Sequence, residues 1–186
     1  YRIPEAARAL QEFVDDMSNW YVRRCRDRFW AKGMEQDKVN AYMTLYTALV
    51  TVCKAAAPMI PFMTEEIYQN IVRSVDVSAK ESIHLCDFPV YNAEQVDEKL
   101  EADMDLVLKI VVLGRACRNG AAIKNRQPIG QMYVKAEASL PDYDEAIILD
   151  ELNVKNITFT DDISNFTTYN FKPQLKTVAV SYTHLR

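Results

Sequence analysis

Between Ser18 and Trp30 the sequence runs S-N-W-Y-V-R-R-C-R-D-R-F-W, which sets four arginines among Trp20, Tyr21, Phe29 and Trp30 within a few helical turns. Guanidinium forks hold phosphate oxygens, and flat rings stack on unpaired bases, so this mixture suits the grip on a looped RNA. A core helix with a charged rim has the same composition. Trp20 follows Leu10, Phe13 and Met17 at turn spacing, which favours burial, whereas Tyr21 and Trp30 are open to either use. Arg24, four residues beyond Trp20, is placed to turn inward and pair with a buried acid. Of Arg23, Arg26 and Arg28, some must face solvent, as on any solvated helix face.

A second basic stretch, R-A-C-R-N-G-A-A-I-K-N-R-Q-P-I, spans Arg115 to Ile129. Cations at a helix C-terminus complement its dipole, and that accounts for Arg115 and Arg118. It does not account for Lys124 and Arg126, which with Gln127 lie on the loop beyond the helix. Basic side chains on a loop held by a rigid scaffold are suited to phosphate contacts.

Other chemistry is poorly provided for. The sequence contains no G-x-G-x-x-G, P-loop, G-x-S-x-G or H-E-x-x-H, and its two histidines, His84 and His184, have no partner pattern. The adjacent Glu65 and Glu66 fit a helix N-terminus better than acid–base work. Cys25, Cys53, Cys86 and Cys117 are too widely spaced for a zinc knuckle and read as reduced, mostly buried thiols. No catalytic or metal-ligating set is expected, and a metal-dependent or thiol enzyme has no support. No apolar run approaches the roughly 20 residues of a membrane span. The opening Tyr1-Arg2-Ile3-Pro4, without methionine, reads as part of a longer chain. The net charge is -4, yet Trp20–Lys32 carries five basic residues against Asp27 alone, and Lys109–Ala136 carries six and no acid. Such segregation can build a positive face on an acidic protein.

The elements that must position these residues are mainly helical. Pro4 suits a first helical turn, and the helix should run to about Ala31 with Gly33 as its stop. A second helix is expected over Asp37–Ala56, ending before Pro58, and a third begins near Pro61. Ser74–Asn92 reads as a long connection in which I-H-L-C-D-F-P is extended. A fourth helix runs from Ala93 to about Cys117, with Asn119-Gly120 as its stop. After Pro128 the period shortens: a strand around Met132–Val134, a helix through Glu151, a strand over Val154–Phe159 and a third over Phe166–Phe171. The expected fold is a mainly α antiparallel bundle over 1–127, followed by a small α+β unit over 128–180 and an unassigned tail, 181–186.

Five stretches resemble, in order, the C-terminal anticodon-binding region of isoleucyl-tRNA synthetases, which are class I aminoacyl-tRNA synthetases. They are Ser18–Trp30, Y-x-x-L-x-x-A-L-V-T-x-x-K (Tyr42–Lys54), A-P-M-I-P-F-M-T-E-E-I-Y-Q-N (Ala57–Asn70), L-G-R-A-C-R-N-x-A-x-I-K-N-R-Q-P-I (Leu113–Ile129) and E-L-N-V-K-N-I (Glu151–Ile157). The proline-rich stretch is shared with valyl and leucyl relatives; W-Y-V-R-R and I-K-x-R-Q-P are more characteristic.

The resemblance implies a catalytically silent tRNA-binding part of a cytoplasmic ligase. The rest of that ligase would join isoleucine to its tRNA with ATP and Mg, so no cofactor is expected in this chain. The implied partners are the anticodon stem-loop of isoleucine tRNA and the catalytic domain of the same polypeptide. Arg23, Arg24, Arg28, Lys124 and Arg126 would hold phosphates, Trp20, Tyr21 or Trp30 would stack on bases, and Gln127 would lie beside them. The family has a further helix upstream of Pro4, so an exposed apolar groove is expected here, open to self-association. The competing reading is a non-catalytic helical protein-interaction scaffold. Val180–Arg186 departs from the family pattern.

Overall fold

The computed structural model describes residues 2–136, 140–164 and 166. The chain divides into two compact units, Tyr1–Ala93 and Glu94–Arg186, so the boundary expected near Gln127 lies inside the second.

In the first unit, α1 (Ile3–Asp16) carries Pro4 in its opening turn and passes into a π-helical stretch, Met17–Val22. A break at Cys25 leads to the short α2 (Arg26–Trp30), and Gly33, at φ +80°, supplies the left-handed turn that follows. Helix α3 (Gln36–Ala56) is the centre of the unit, with α2 and α4 (Pro61–Tyr68) packed on it. Cys53, Ala57, Tyr68 and Ile83 form the core, ringed by Val52, Ile67, Val72 and Cys86. Cys25 and Cys53 are buried as expected and Cys86 is half-buried, but Cys117 is exposed.

The connection after α4 is not extended throughout. Ile83–Leu85 makes a 3-10 turn that drives Ile83 into the core. Glu65 on α4 causes it: one carboxylate oxygen accepts from Ser82 Oγ at 2.8 Å and from the Ile83 N–H at 2.9 Å, and the other accepts from Gln69 Nε2 at 2.7 Å. Tyr68 closes the same segment by donating to Lys80 O at 2.9 Å, and its burial, aided by Cys86, pushes the phenol up to about 12.

In the second unit, α5 (Glu98–Gly120) starts at Asp97, whose carboxylate accepts from the Lys99 and Leu100 N–H groups. The expected start at Ala93 is a separate 3-10 turn. Strand β1 (Met132–Lys135), helix α6 (Asp142–Leu152) and strand β2 (Ile157–Thr160) form a βαβ unit. The strands pair in parallel, Met132 opposite Ile157 through Lys135 opposite Thr160, which is why a helix must cross between them. Val107, Ile110 and Val111 on α5 are buried, as are Ile148 and Leu152 on α6, the helix that packs against it. Asp144, in the first turn of α6, is buried with one oxygen lacking a partner; burial, with Asp103 adding to it, raises its pKa. Phe166 stacks on Tyr133 at 4.1 Å; the rest of the strand expected over Phe166–Phe171 lies outside the described residues, as does the tail.

Gly114 sets how closely α5 and α6 approach. A Cβ there would lie 2.4 Å from Leu152 Cδ1, and Leu152 is fully buried with little room to turn aside. Gly114→Val should therefore destabilise the second unit by about 1–3 kcal/mol, read as a lower urea midpoint. An unchanged midpoint would mean that Leu152 repacks freely.

Candidate nucleic-acid interface

Two basic patches are candidates, one in each unit. In the first, the π-helical stretch decides which side chains face α3. Its i to i+5 bonding puts more residues in each turn than the 3.6 of an α-helix. Side chains after Met17 therefore fall out of the phase set by Leu10 and Phe13. The residue that reaches α3 is Tyr21, whose hydroxyl donates to Ala41 O at 3.0 Å, and burial raises its pKa. Trp20, expected as an anchor, is only half-buried, and the Arg23 guanidinium lies 5.8 Å from its ring centroid. Arg23 also donates to Asn19 O at 2.7 Å.

Phe29 rests between Tyr21 and Tyr42, with ring centroids 6.5 and 4.9 Å away. Arg28 forms a fork onto Asp37, Nε to Oδ2 at 2.8 Å and Nη2 to Oδ1 at 2.7 Å, and also reaches Asp37 O. This clasp joins α2 to the start of α3 and holds the Asp37 carboxyl below the usual range. Arg28 therefore orients the patch while its charge is engaged. Arg24 is half-buried and engaged, Arg26 is exposed, and Trp30 is 83% exposed. Of the aromatic residues considered for stacking, Trp30 offers the freest ring, and Tyr21 is committed to α3.

The second patch is built around Arg118. It continues the Val107, Val111, Gly114 stripe of α5 and is only 5% exposed. Its Nη1 donates to Lys124 O at 3.0 Å, and its Nη2 donates to Gln127 O at 2.9 Å and Asn153 O at 3.1 Å. One buried guanidinium thus ties both ends of the Lys124–Gln127 turn to the end of α6, and a Gln127 N–H to Lys124 O bond closes the turn at 2.9 Å. Asn125 donates to Glu151 O and Asn153 donates back to Asn125 O, both at 3.2 Å. Lys124, Arg126 and Gln127 are left exposed on this laced frame.

Both flanking helices end in the same way. Ile123 N–H bonds to Arg118 O while Ala122 N–H bonds to Asn119 O, and Val154 N–H bonds to Leu149 O while Asn153 N–H bonds to Asp150 O. These are Schellman closures, and they put Ala122 (φ 55°) and Asn153 (φ 48°) in the left-handed region. The left-handed position thus falls on Ala122, not on the expected stop at Gly120. Two carbonyls of the turn and one at the carbonyl-rich end of α6 converge on the guanidinium, which explains why a cation is buried there. Arg115 pairs with the buried Glu151 at 2.6 Å and braces the same corner. Sequence reasoning missed Arg118 as the organiser. The signal was its spacing, since an arginine in phase with Val107, Val111 and Gly114 must point inward.

Among the described residues no group of three His, Cys, Asp or Glu side chains could hold a metal, and no helix is long and apolar enough to cross a membrane.

Residues 1–134 match the family described as the anticodon-binding domain of tRNA ligase. The chain is 52% identical over 182 residues to an isoleucine–tRNA ligase of Clostridium novyi, covering 98% of this chain and 17% of that protein. It is 53% identical over 182 residues to that of Clostridium acetobutylicum, again 98% of this chain and 18% of the relative. Against isoleucine–tRNA ligase 2 of Bacillus cereus the identity is 41% over 186 residues, 98% of this chain and 17% of the relative. The chain therefore spans less than a fifth of the length of these relatives. The W-Y-V-R-R helix and the basic turn laced by Arg118 both lie within the matched span, and the chain belongs to the anticodon-binding domain family of tRNA ligases, with isoleucine–tRNA ligases as the relatives it resembles.

Proposed function

We propose that this chain binds the anticodon stem-loop of an isoleucine tRNA, as one part of a longer cytoplasmic polypeptide that charges that tRNA. The observation that carries the reading is the Lys124–Gln127 turn, where cations are held exposed on a frame tied by a buried arginine, within a family of anticodon-binding domains. Lys124 and Arg126 contact phosphates and set register, with Gln127 beside them able to donate or accept. In the first unit, Trp30 stacks on a loop base, Trp20 adds a half-exposed ring, and Arg23 and Arg24 lie along the RNA backbone. Arg28 and Tyr21 keep this surface in place. Activation of isoleucine with ATP and Mg takes place elsewhere in the polypeptide.

Titration of the chain with an isoleucine-tRNA stem-loop over a range of salt concentrations tests this. Affinity should fall linearly on a log–log plot, and Arg126→Ala should weaken binding across sequences and flatten the slope by roughly 0.7–1. Binding indifferent to both salt and Arg126→Ala would remove the phosphate role.

One observation favours an additional protein contact. Helix α1 buries none of its residues and exposes Ile3, Phe13 and Val14. We assign this face to contact with another part of the full-length ligase, with a second copy of the chain as the alternative occupant.

A further inference from the structure

Arg118 has spent both of its Nη groups on carbonyl oxygens, yet its Nε–H is buried and has no acceptor. Among the described residues no carboxylate pairs with it, so a full positive charge is held by backbone dipoles alone. A buried donor without an acceptor is costly and calls for an explanation. Beside it lies a recess of about 200 Å³ lined by Arg115, Arg118, Asn119, Ile123 and Asn125. Four of these five side chains carry N–H donors. Glu151, the buried acid at this corner, is already paired with Arg115. The two helix C-termini nearby would repel an anion; Arg118 answers the Asn153 carbonyl at the end of α6, along with the Lys124 and Gln127 carbonyls of the turn, and the Schellman closures take up carbonyls at both helix ends.

The size narrows the ligand. Pockets for drug-sized molecules run to roughly 300–1,000 Å³, and this recess is smaller, suited to one phosphate group and not to a whole nucleotide. It opens beside the Lys124–Gln127 turn, where the two exposed cations would attract a polyanion.

From these observations we infer that the recess is a seat for a single phosphodiester group of the bound RNA, with Arg115, Asn119 and Asn125 as its donors and the Arg118 charge behind them. This deepens the tRNA reading and rests on it. Lys124 and Arg126 are then the outer, salt-screened contacts, and the recess fixes the position of one particular phosphate.

The test follows the Nε–Hε resonance of Arg118 by NMR in the full 186-residue chain during titration with an isoleucine-tRNA stem-loop and, separately, with inorganic phosphate. The resonance should move with both. Asn119→Leu, at an exposed position whose side chain makes no hydrogen bond within the described residues, should keep the thermal midpoint. It should weaken stem-loop binding about tenfold or more, the size of one lost hydrogen bond to a charged group. A stem-loop that binds at full strength to Asn119→Leu, or that leaves the Arg118 resonance in place at saturation, overturns the seat while the tRNA reading stands. Movement with phosphate but no stem-loop binding upholds an anion seat and removes the tRNA reading. Failure of the stem-loop to bind at all, together with an Arg118 resonance unmoved by phosphate, overturns both.

Discussion

Replacing Arg118 by methionine should lower the stability of the second unit by about 2–4 kcal/mol, from hydrogen bonds worth about 1.5–3 kcal/mol each when one partner is charged. The side chain makes three such bonds, to Lys124 O, Gln127 O and Asn153 O. Two of these carbonyls keep a second partner, because Lys124 O also accepts from the Gln127 N–H and Asn153 O from the Ile129 N–H. Gln127 O has no other partner among the described residues and would be left bare. Against this stands the recovered cost of burying a guanidinium, which is several kcal/mol, so the net is well below the sum of the three bonds. A methionine of similar volume fills the space without forming a cavity, and the loss measured is then electrostatic and not packing. Urea unfolding gives the size, and amide exchange gives the place. Protection should fall first at Gln127 and Ile129, while Ile148 and Leu152 in the helix behind exchange only with global unfolding. A variant as stable as the parent would show that the charge is tolerated and not required. Stem-loop binding would then separate the two roles, since an unlaced turn still carries Lys124 and Arg126 but no longer presents them on a fixed frame.

What could be read in advance followed the local rules, and what could not depended on distant partners. The α3 helix was legible because its apolar positions repeat and Pro58 ends it. The alternation at Met132 and Val134 announced a strand, and their place beyond the helix end marked Lys124 and Arg126 as more than dipole partners. Trp20 was assigned to the core by a 3.6-residue count that a π-helical stretch invalidates from Met17 onward. The clasp of Arg28 on Asp37 was not legible, because Asp37 lies nine residues on and across a turn, where no periodicity connects them. The fixed shape of the basic turn depends on Glu151 and Asn153, about 26–29 residues away from Asn125 and Lys124, and no local pattern connects those stretches. Arg118 is the intermediate case: its phase was visible, but a charged residue on an apolar stripe was read by its charge and not by its position.

Glu65→Ala should cost the first unit about 2–3 kcal/mol, because the carboxylate accepts three hydrogen bonds at once and charged acceptors are worth about 1.5–3 kcal/mol each before allowance for its partial exposure. Losing it strands the Ile83 N–H beside a side chain that is only 2% exposed, and Ile83 is the part of the long connection that completes the core with Cys53, Ala57 and Tyr68. The pH dependence identifies the cause. Burial alone would raise the Glu65 pKa, but the hydrogen bonds from Gln69, Ser82 and the Ile83 N–H outweigh it, and the net shift is downward. A carboxyl whose folded pKa lies below its unfolded value, about 4.3, contributes stability that is present above that value and is lost as pH falls through the folded pKa. The parent should therefore lead Glu65→Ala by its full margin at pH 7, and the two thermal midpoints should draw together as the pH drops below about 4. Glu65→Gln, which keeps an amide oxygen able to accept from Ile83 but has no charge to lose, should fall between them and lack the parent's acid limb at this site. A gap between parent and Glu65→Ala that stayed constant from pH 7 to pH 3 would mean that the neutral carboxyl holds the turn as well as the carboxylate, with the charge incidental.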